Sequence, residues 1–155
     1  ACYFNFTGEK IIELAREGKA LGMNLLVMDD GWFGKRDTDF SGLGDWVTNE
    51  EKLGMSLESL GHRLEEEGMH FGIWIEPEMV NEDSALYRAH PDYALQIPGE
   101  SPIRSRSQLV LDFSRKETSA YLGCPLILLS MRQSTLGPLE SQSLLSRNSL
   151  KSLIL

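Results

Sequence analysis

The sequence predicts an α/β chain built on a parallel sheet, and three observations carry that reading. Stretches with helical apolar spacing alternate with short apolar runs. Connections from helix to strand are short, Gly22-Met23-Asn24 and Gly68-Met69-His70, whereas the connections that leave the strands are long. Both long connections open on carboxylates and aromatics, Asp29-Asp30-Gly31-Trp32-Phe33 and Trp74-Ile75-Glu76-Pro77-Glu78. Long loops confined to the C-terminal ends of the strands are the pattern of a (β/α)8 barrel, whose sites lie on that face. An open doubly wound sheet gives a similar local pattern.

Each element has a local reason. From Glu9 to Leu21, apolar residues at Ile11, Ile12, Leu14, Ala15 and Leu21 make a helical stripe, with Thr7 placed to cap it and Gly22 to end it. Leu25–Met28 is a buried-strand candidate. Residues 31–55 read as a long connection rich in Gly and Asp. Ser56 to Glu67 carries Leu57, Leu60 and Leu64 on one face and stops at Gly68. Phe71–Ile75 is the second strand, followed at once by Glu76-Pro77-Glu78. Ser84 to His90 is a short helix closed by Pro91, Leu109–Leu111 a weaker strand, and Ser114–Glu117 the cap and first turn of another helix.

Composition narrows the function classes. The 155 residues are 41% hydrophobic and 25% charged, as in a globular protein, with a net charge of −8. An acidic chain without a basic stripe does not fit nucleic-acid binding, which replaces phosphate counterions with Lys and Arg. No apolar stretch approaches the roughly 20 residues of a membrane span. Cys2 and Cys124 are isolated, so a reducing, cytoplasmic setting is expected. The start, Ala1-Cys2-Tyr3-Phe4, reads as an internal one and not as a signal peptide. From 118 the texture changes: Leu and Ser make up half of residues 118–155, and Glu140 is the only acid there. The expected division is therefore 1–117, a folded α/β segment, and 118–155, a Leu/Ser-rich tail. That tail is open to reading as a partner-binding segment, an ordinary helical terminus or a shifted reading frame.

The chemistry concentrates at the two strand ends. In a parallel sheet, Asp29 and Asp30 share one edge with Trp74, Glu76 and Glu78, and would converge on one pocket. Carboxylates suit sugar hydroxyls, and an aromatic face suits the C–H surface of a sugar ring. Clustered acids also suit a hard cation, but His62, His70 and His90 fall at no ligand spacing, and no metal or other cofactor is expected. There is no G-x-G-x-x-G, no phosphate-binding P-loop and no G-x-S-x-G. Arg106, just before the strand at 109–111, is either a surface charge or a group that orients the carboxylates and donates to hydroxyls.

Five segments, in order and in register, resemble the α-galactosidases of glycoside hydrolase family 36. They are Leu26–Arg36, Leu43–Trp46, Phe71–Val80, Leu86–Asp92 and Gln108–Asp112. The resemblance covers nearly all of 1–117. It implies the first strands of a (β/α)8 barrel, about three of eight, and retaining hydrolysis of terminal α-galactosides such as melibiose and raffinose. It implies that Asp29 and Asp30 bind galactose hydroxyls, that Trp74 is a pocket tryptophan and that Arg106 contacts substrate. Full-length members are expected to be homo-oligomers acting on small galactosides.

The resemblance also implies a nucleophile in a Lys-Trp-Asp-Met-Asn motif on the next strand and an Asp acid/base beyond it. No Asp follows Asp112 and no Trp follows Trp74, so no catalytic residue is assigned and a frame-shifted end is expected. A retaining glycosidase needs both carboxyl groups, about 5–5.5 Å apart. The chain by itself is therefore expected to be inactive and poorly folded. Two further readings are a non-catalytic galactoside-binding module and a barrel piece completed by a partner chain.

Overall fold

A computed structural model describes residues 2–102 and 104–123. The first helix, α1 (Gly8–Ala20), forms where expected, and the Thr7 side chain accepts from the Lys10 backbone N–H at 3.3 Å. The chain then enters β1 (Leu25–Met28), and after a long connection holding the short helix α2 (Glu50–Leu53) it reaches α3 (Leu57–Glu66) and β2 (His70–Ile73). Ser56 caps α3 by accepting from the Ser59 N–H. β1 and β2 are parallel, in a register that sets Leu25 against His70 and Met28 against Ile73. α1 packs on β1, α3 on β2, and the two helices on each other. Ile11, Ile12 and Ala15 of α1, Leu60 and Leu64 of α3, and Met28 and Met69 are buried in one core. Outside it, Arg16 pairs with Glu67, and Arg63 with Glu9. These pairs join α1 to α3 at the surface, where water screens them and they add little to stability.

The connection at 31–55 is more ordered than its composition suggests. Gly34 donates to the Val47 carbonyl at 2.8 Å and Asn49 to that of Trp32 at 2.9 Å. Asn49 also caps α2 by accepting from the Lys52 N–H, and Gly54, at φ +72°, ends it. Trp32, Phe33, Leu43 and Trp46 are buried inside this loop. Asp45 explains the Gly44-Asp45-Trp46 segment: its two carboxylate oxygens accept from the Ala85 and Leu86 N–H groups at 2.8 and 2.9 Å. The acid sits at the start of α4 (Ala85–Ala89), which Ser84 also caps.

One expectation is corrected. The strand near 109–111 is not a third parallel strand. It forms as β4 (Gln108–Val110) and pairs antiparallel with β3 (Met79–Asn81), a strand not expected from the sequence, in a separate two-stranded sheet. A parallel neighbour would need a crossover long enough to cover the sheet. Among the described residues, the only α-helix between β2 and β4 is α4, of five residues. A tight turn at Ser105–Gln108 instead reverses the chain just before β4. The described parallel sheet therefore has two strands, and β3, α4 and β4 elaborate the loop that follows β2. Residues 116–123 are helical, as the cap at 114 anticipated. The Leu/Ser-rich segment is described only to residue 123; the rest of it, with Cys124, lies outside the described residues.

Gly31 makes the turn out of β1 possible. Its φ is +101°, and a Cβ there would lie 2.9 Å from Phe4 Cδ1 and 3.3 Å from the Arg36 carbonyl oxygen. Gly54 has φ +72° with open space around it. Gly54→Ala should therefore cost only the left-handed backbone penalty, about 1–2 kcal/mol, and Gly31→Ala clearly more. Urea midpoints of the two variants check this, and equal losses would refute the steric role of Gly31.

Candidate functional site at the ends of the parallel strands

The register of the sheet places the two strand ends side by side. Trp74 continues β2 and donates its backbone N–H to the Met28 carbonyl at 2.9 Å, so it lies level with Asp29. Its own carbonyl accepts from the indole Nε1 of Trp32, again at 2.9 Å. This bond fixes the edge from below, because Trp32 is fully buried against Phe33 and Trp46. Trp46 lies 6.4 Å from Trp74, centroid to centroid. Trp74 itself is only partly buried and leaves part of its surface at the edge.

Asp29 and Asp30 have different surroundings. Asp29 is exposed, and its side chain makes no hydrogen bond among the described residues. Asp30 is partly buried and is gripped by Arg36. Arg36 Nε lies 3.0 Å from both carboxylate oxygens, and Nη2 lies 2.7 Å from Oδ2. A carboxylate offers about four acceptor sites, so Asp30 retains capacity for a ligand hydroxyl while its orientation is set by the guanidinium.

Arg36 was missed as a functional residue, although it stands inside the Asp29–Arg36 segment. It is 1% exposed, and its remaining donors go to the Ser41 carbonyl and to Asn81 Oδ1, at 3.1 and 3.0 Å. Asn81, also fully buried, was missed as well. A single Arg in a loop and a single Asn closing a three-residue strand have no period and no spacing that betrays their burial. The usable signal was compositional: Arg36 follows a run of glycines and aromatics that must fold back on itself.

Arg106 lies at the rim. Its side chain is 74% exposed, and Nη2 is 3.6 Å from Asp39 Oδ1. Asp39 also faces Arg36, at 3.7 Å. Charges thus alternate from Asp30 through Arg36 and Asp39 to Arg106, which joins the rim arginine to the strand-end carboxylate. Glu76 completes the edge. Its carboxyl is held above the ordinary glutamate value, first by burial and then by the negative charge of Glu78, with Arg106 and Arg36 acting against the rise. Among the described residues no three His, Cys, Asp or Glu side chains are grouped to hold a metal ion.

The arrangement is a sheet edge that carries carboxylates, a partly buried tryptophan and one exposed arginine at its rim. The family can be stated outright. The melibiase family model matches residues 1–132, and the chain belongs to that family. It is 65% identical over 117 residues to the bifunctional α-galactosidase/sucrose kinase of Mediterraneibacter gnavus, a match covering 76% of this chain and 12% of that protein. It is 48% identical over 122 residues to an α-galactosidase of Geobacillus stearothermophilus, covering 79% and 17%. The structure is similar to the galactosidase domain of an α-galactosidase-sucrose kinase, with a TM-score of 0.82 and 57% identity over 85% of this chain and 18% of that one. It is also similar to a Geobacillus stearothermophilus family 36 α-galactosidase variant solved with raffinose, with a TM-score of 0.77 and 44% identity over 86% and 18%. The chain thus spans less than a fifth of the length of these relatives.

Glu76 gives a pH prediction. A carboxyl whose folded-state pKa is raised binds more protons folded than unfolded, so it lowers stability as pH rises through that interval. The cost is full above the raised value and absent below the unfolded value of about 4.3. Glu76→Gln should therefore melt higher than the parent at pH 7, and the gain should vanish below about pH 4. A gain that persists unchanged at low pH would show that burial of the charge is not its source.

Proposed function

We propose that this chain supplies the galactose-binding edge of an α-galactosidase barrel. Asp29 and Asp30 accept from galactose hydroxyls, Trp74 packs on the C–H face of the ring, and Arg106 donates from the rim. The observation that carries this is the meeting of Asp30, Trp74 and the Arg106 rim at one strand edge, in a chain 65% identical over 117 residues to an α-galactosidase. The solved relatives bound to raffinose and stachyose support a small α-galactoside as the ligand class.

β1 and β2 are, on this reading, the first strands of a (β/α)8 barrel. Leu25 and Val27, on the face of β1 away from the helices, are 53% and 56% exposed. A sheet closed on itself would cover them. The role assigned to these residues is binding. Retaining hydrolysis needs a carboxylate nucleophile and a second carboxyl group as acid/base, and the reading gives neither role to a residue of this sequence. The edge holds the sugar, and the reacting carboxylates come from strands that continue the sheet.

Two experiments test the proposal. Galactose titrated into the 155-residue chain should change its tryptophan fluorescence saturably, whereas glucose, epimeric at one hydroxyl, should have a weaker effect. A chimaera in which residues 1–117 replace the matching segment of the Mediterraneibacter gnavus relative should cleave an aryl α-galactoside. In it, Asp30→Asn should lower kcat/KM by about 10- to 100-fold, the loss of one to two charged hydrogen bonds. A chimaera that folds and neither binds galactose nor cleaves the substrate would overturn the reading.

A further inference from the structure

Resting on that reading, we infer that Arg36 and Asn81 form a single positioning unit that couples Asp30 to the turn carrying Arg106, so that the two sugar contacts are set together. Arg106 and Ser107 have φ of +49° and +63°. Ser105 and Gln108 exchange both backbone hydrogen bonds across them, at 3.1 and 2.8 Å. Two consecutive left-handed residues closed by such a pair make a type I′ turn, which favours Asn and Gly. Here the positions hold Arg and Ser, for which the left-handed backbone is sterically disfavoured. Such a turn needs an outside tether to keep Arg106 in place.

Asn81 is that tether. Its Nδ2 donates to the Ser107 carbonyl at 2.9 Å and to the Asp39 carbonyl at 3.2 Å. Its Oδ1 accepts from Arg36 Nη1 at 3.0 Å and from the Leu43 N–H at 2.9 Å. All four hydrogen-bonding sites of the amide are therefore used. Each bond reaches a different part of the edge: the Arg106 turn, the residue whose carboxylate faces Arg106, the guanidinium that grips Asp30, and the loop that buries Trp46. Arg36 in turn commits its Nε and Nη2 to Asp30. A shift of the Arg106 turn is passed to Asn81, from Asn81 to the guanidinium, and from the guanidinium to the Asp30 carboxylate. Neither Arg36 nor Asn81 needs to touch the sugar, so both act through the groups they hold.

The test separates positioning from mere support of the fold. It uses the chimaera with the Mediterraneibacter gnavus relative, with the galactose titration of the 155-residue chain run alongside. Asn81→Asp keeps the acceptor for Arg36 and removes the donor to Ser107. It should raise KM about 5- to 10-fold and change kcat less than about threefold. Ser107→Gly relieves the turn's backbone penalty and should recover most of that loss when added to Asn81→Asp. Arg106→Ala should cost much less in the Asn81→Asp background than in the parent, because the turn is already released. Additive losses, no recovery by Ser107→Gly, or equal falls in kcat and 1/KM would overturn the inference. If Asn81→Asp does not fold, Arg36→Lys takes its place. It keeps the charge without the fork and should likewise raise KM and weaken the dependence on Arg106; an unchanged KM would overturn the inference. A folded parent that does not bind galactose ends both this inference and the functional reading. A parent that binds, with Asn81→Asp binding equally well, ends only this one.

Discussion

A guanidinium that is 1% exposed must be surrounded by acceptors, and meeting that need shapes the part of the molecule around the strand ends. The Asp30 carboxylate, the Ser41 carbonyl and the Asn81 amide oxygen answer Arg36 from three directions. To reach it, the chain after β1 has to turn at Gly31, fold back over Trp32 and Phe33, and return through Gly42. At Gly42 φ is +80°, and a Cβ would lie 3.0 Å from the Arg36 backbone nitrogen. Removing one partner of such a buried pair leaves a charge without compensation, at a cost of about 3–5 kcal/mol. The loop is long, yet its course is narrowly determined.

The fold and the site were legible in the sequence to different depths. Thr7, Ser56 and Ser84 lie at the starts of apolar helical stripes, and each caps the helix that follows it. Leu25–Met28 and Phe71–Ile75 are short apolar runs that each follow a turn glycine, and they pair in parallel as alternation implied, the second as His70–Ile73. The Asp29-Asp30 and Trp74 segments stood out because carboxylates and an aromatic followed apolar runs directly. Neither α2 nor the β3–β4 pair could be read in this way. α2 is a single turn held by an Asn cap and a left-handed glycine, and β3 is three residues long and depends on a partner distant in sequence.

Arg36, Asn81 and Asp39 were hidden for a deeper reason. Periodicity reports which face of an element is apolar, and a buried polar residue contradicts that pattern at a single point. Asn81 is buried because four polar atoms surround it, and those atoms come from segments up to 45 residues away in the chain. Only the folded arrangement brings them together. Arg106 is the intermediate case. Its residue type and place before a strand favour a surface charge, and only the family resemblance points to a ligand contact; its side chain is exposed beside Asp39.

The aromatic cluster beneath the strand ends has an optical consequence. The chain contains three tryptophans, and all three belong to this cluster, with Trp46 6.2 Å from Trp32 and 6.4 Å from Trp74. Indoles this close exchange excitation, and their transitions mix. The near-ultraviolet circular dichroism of the protein therefore registers the order of one region almost exclusively. Such signals disappear when fixed side-chain packing is lost, even where helices and strands survive. A spectrum recorded near 290 nm would thus report whether the strand-end cluster is packed, while remaining nearly blind to the packing of α1 on α3, which holds no tryptophan.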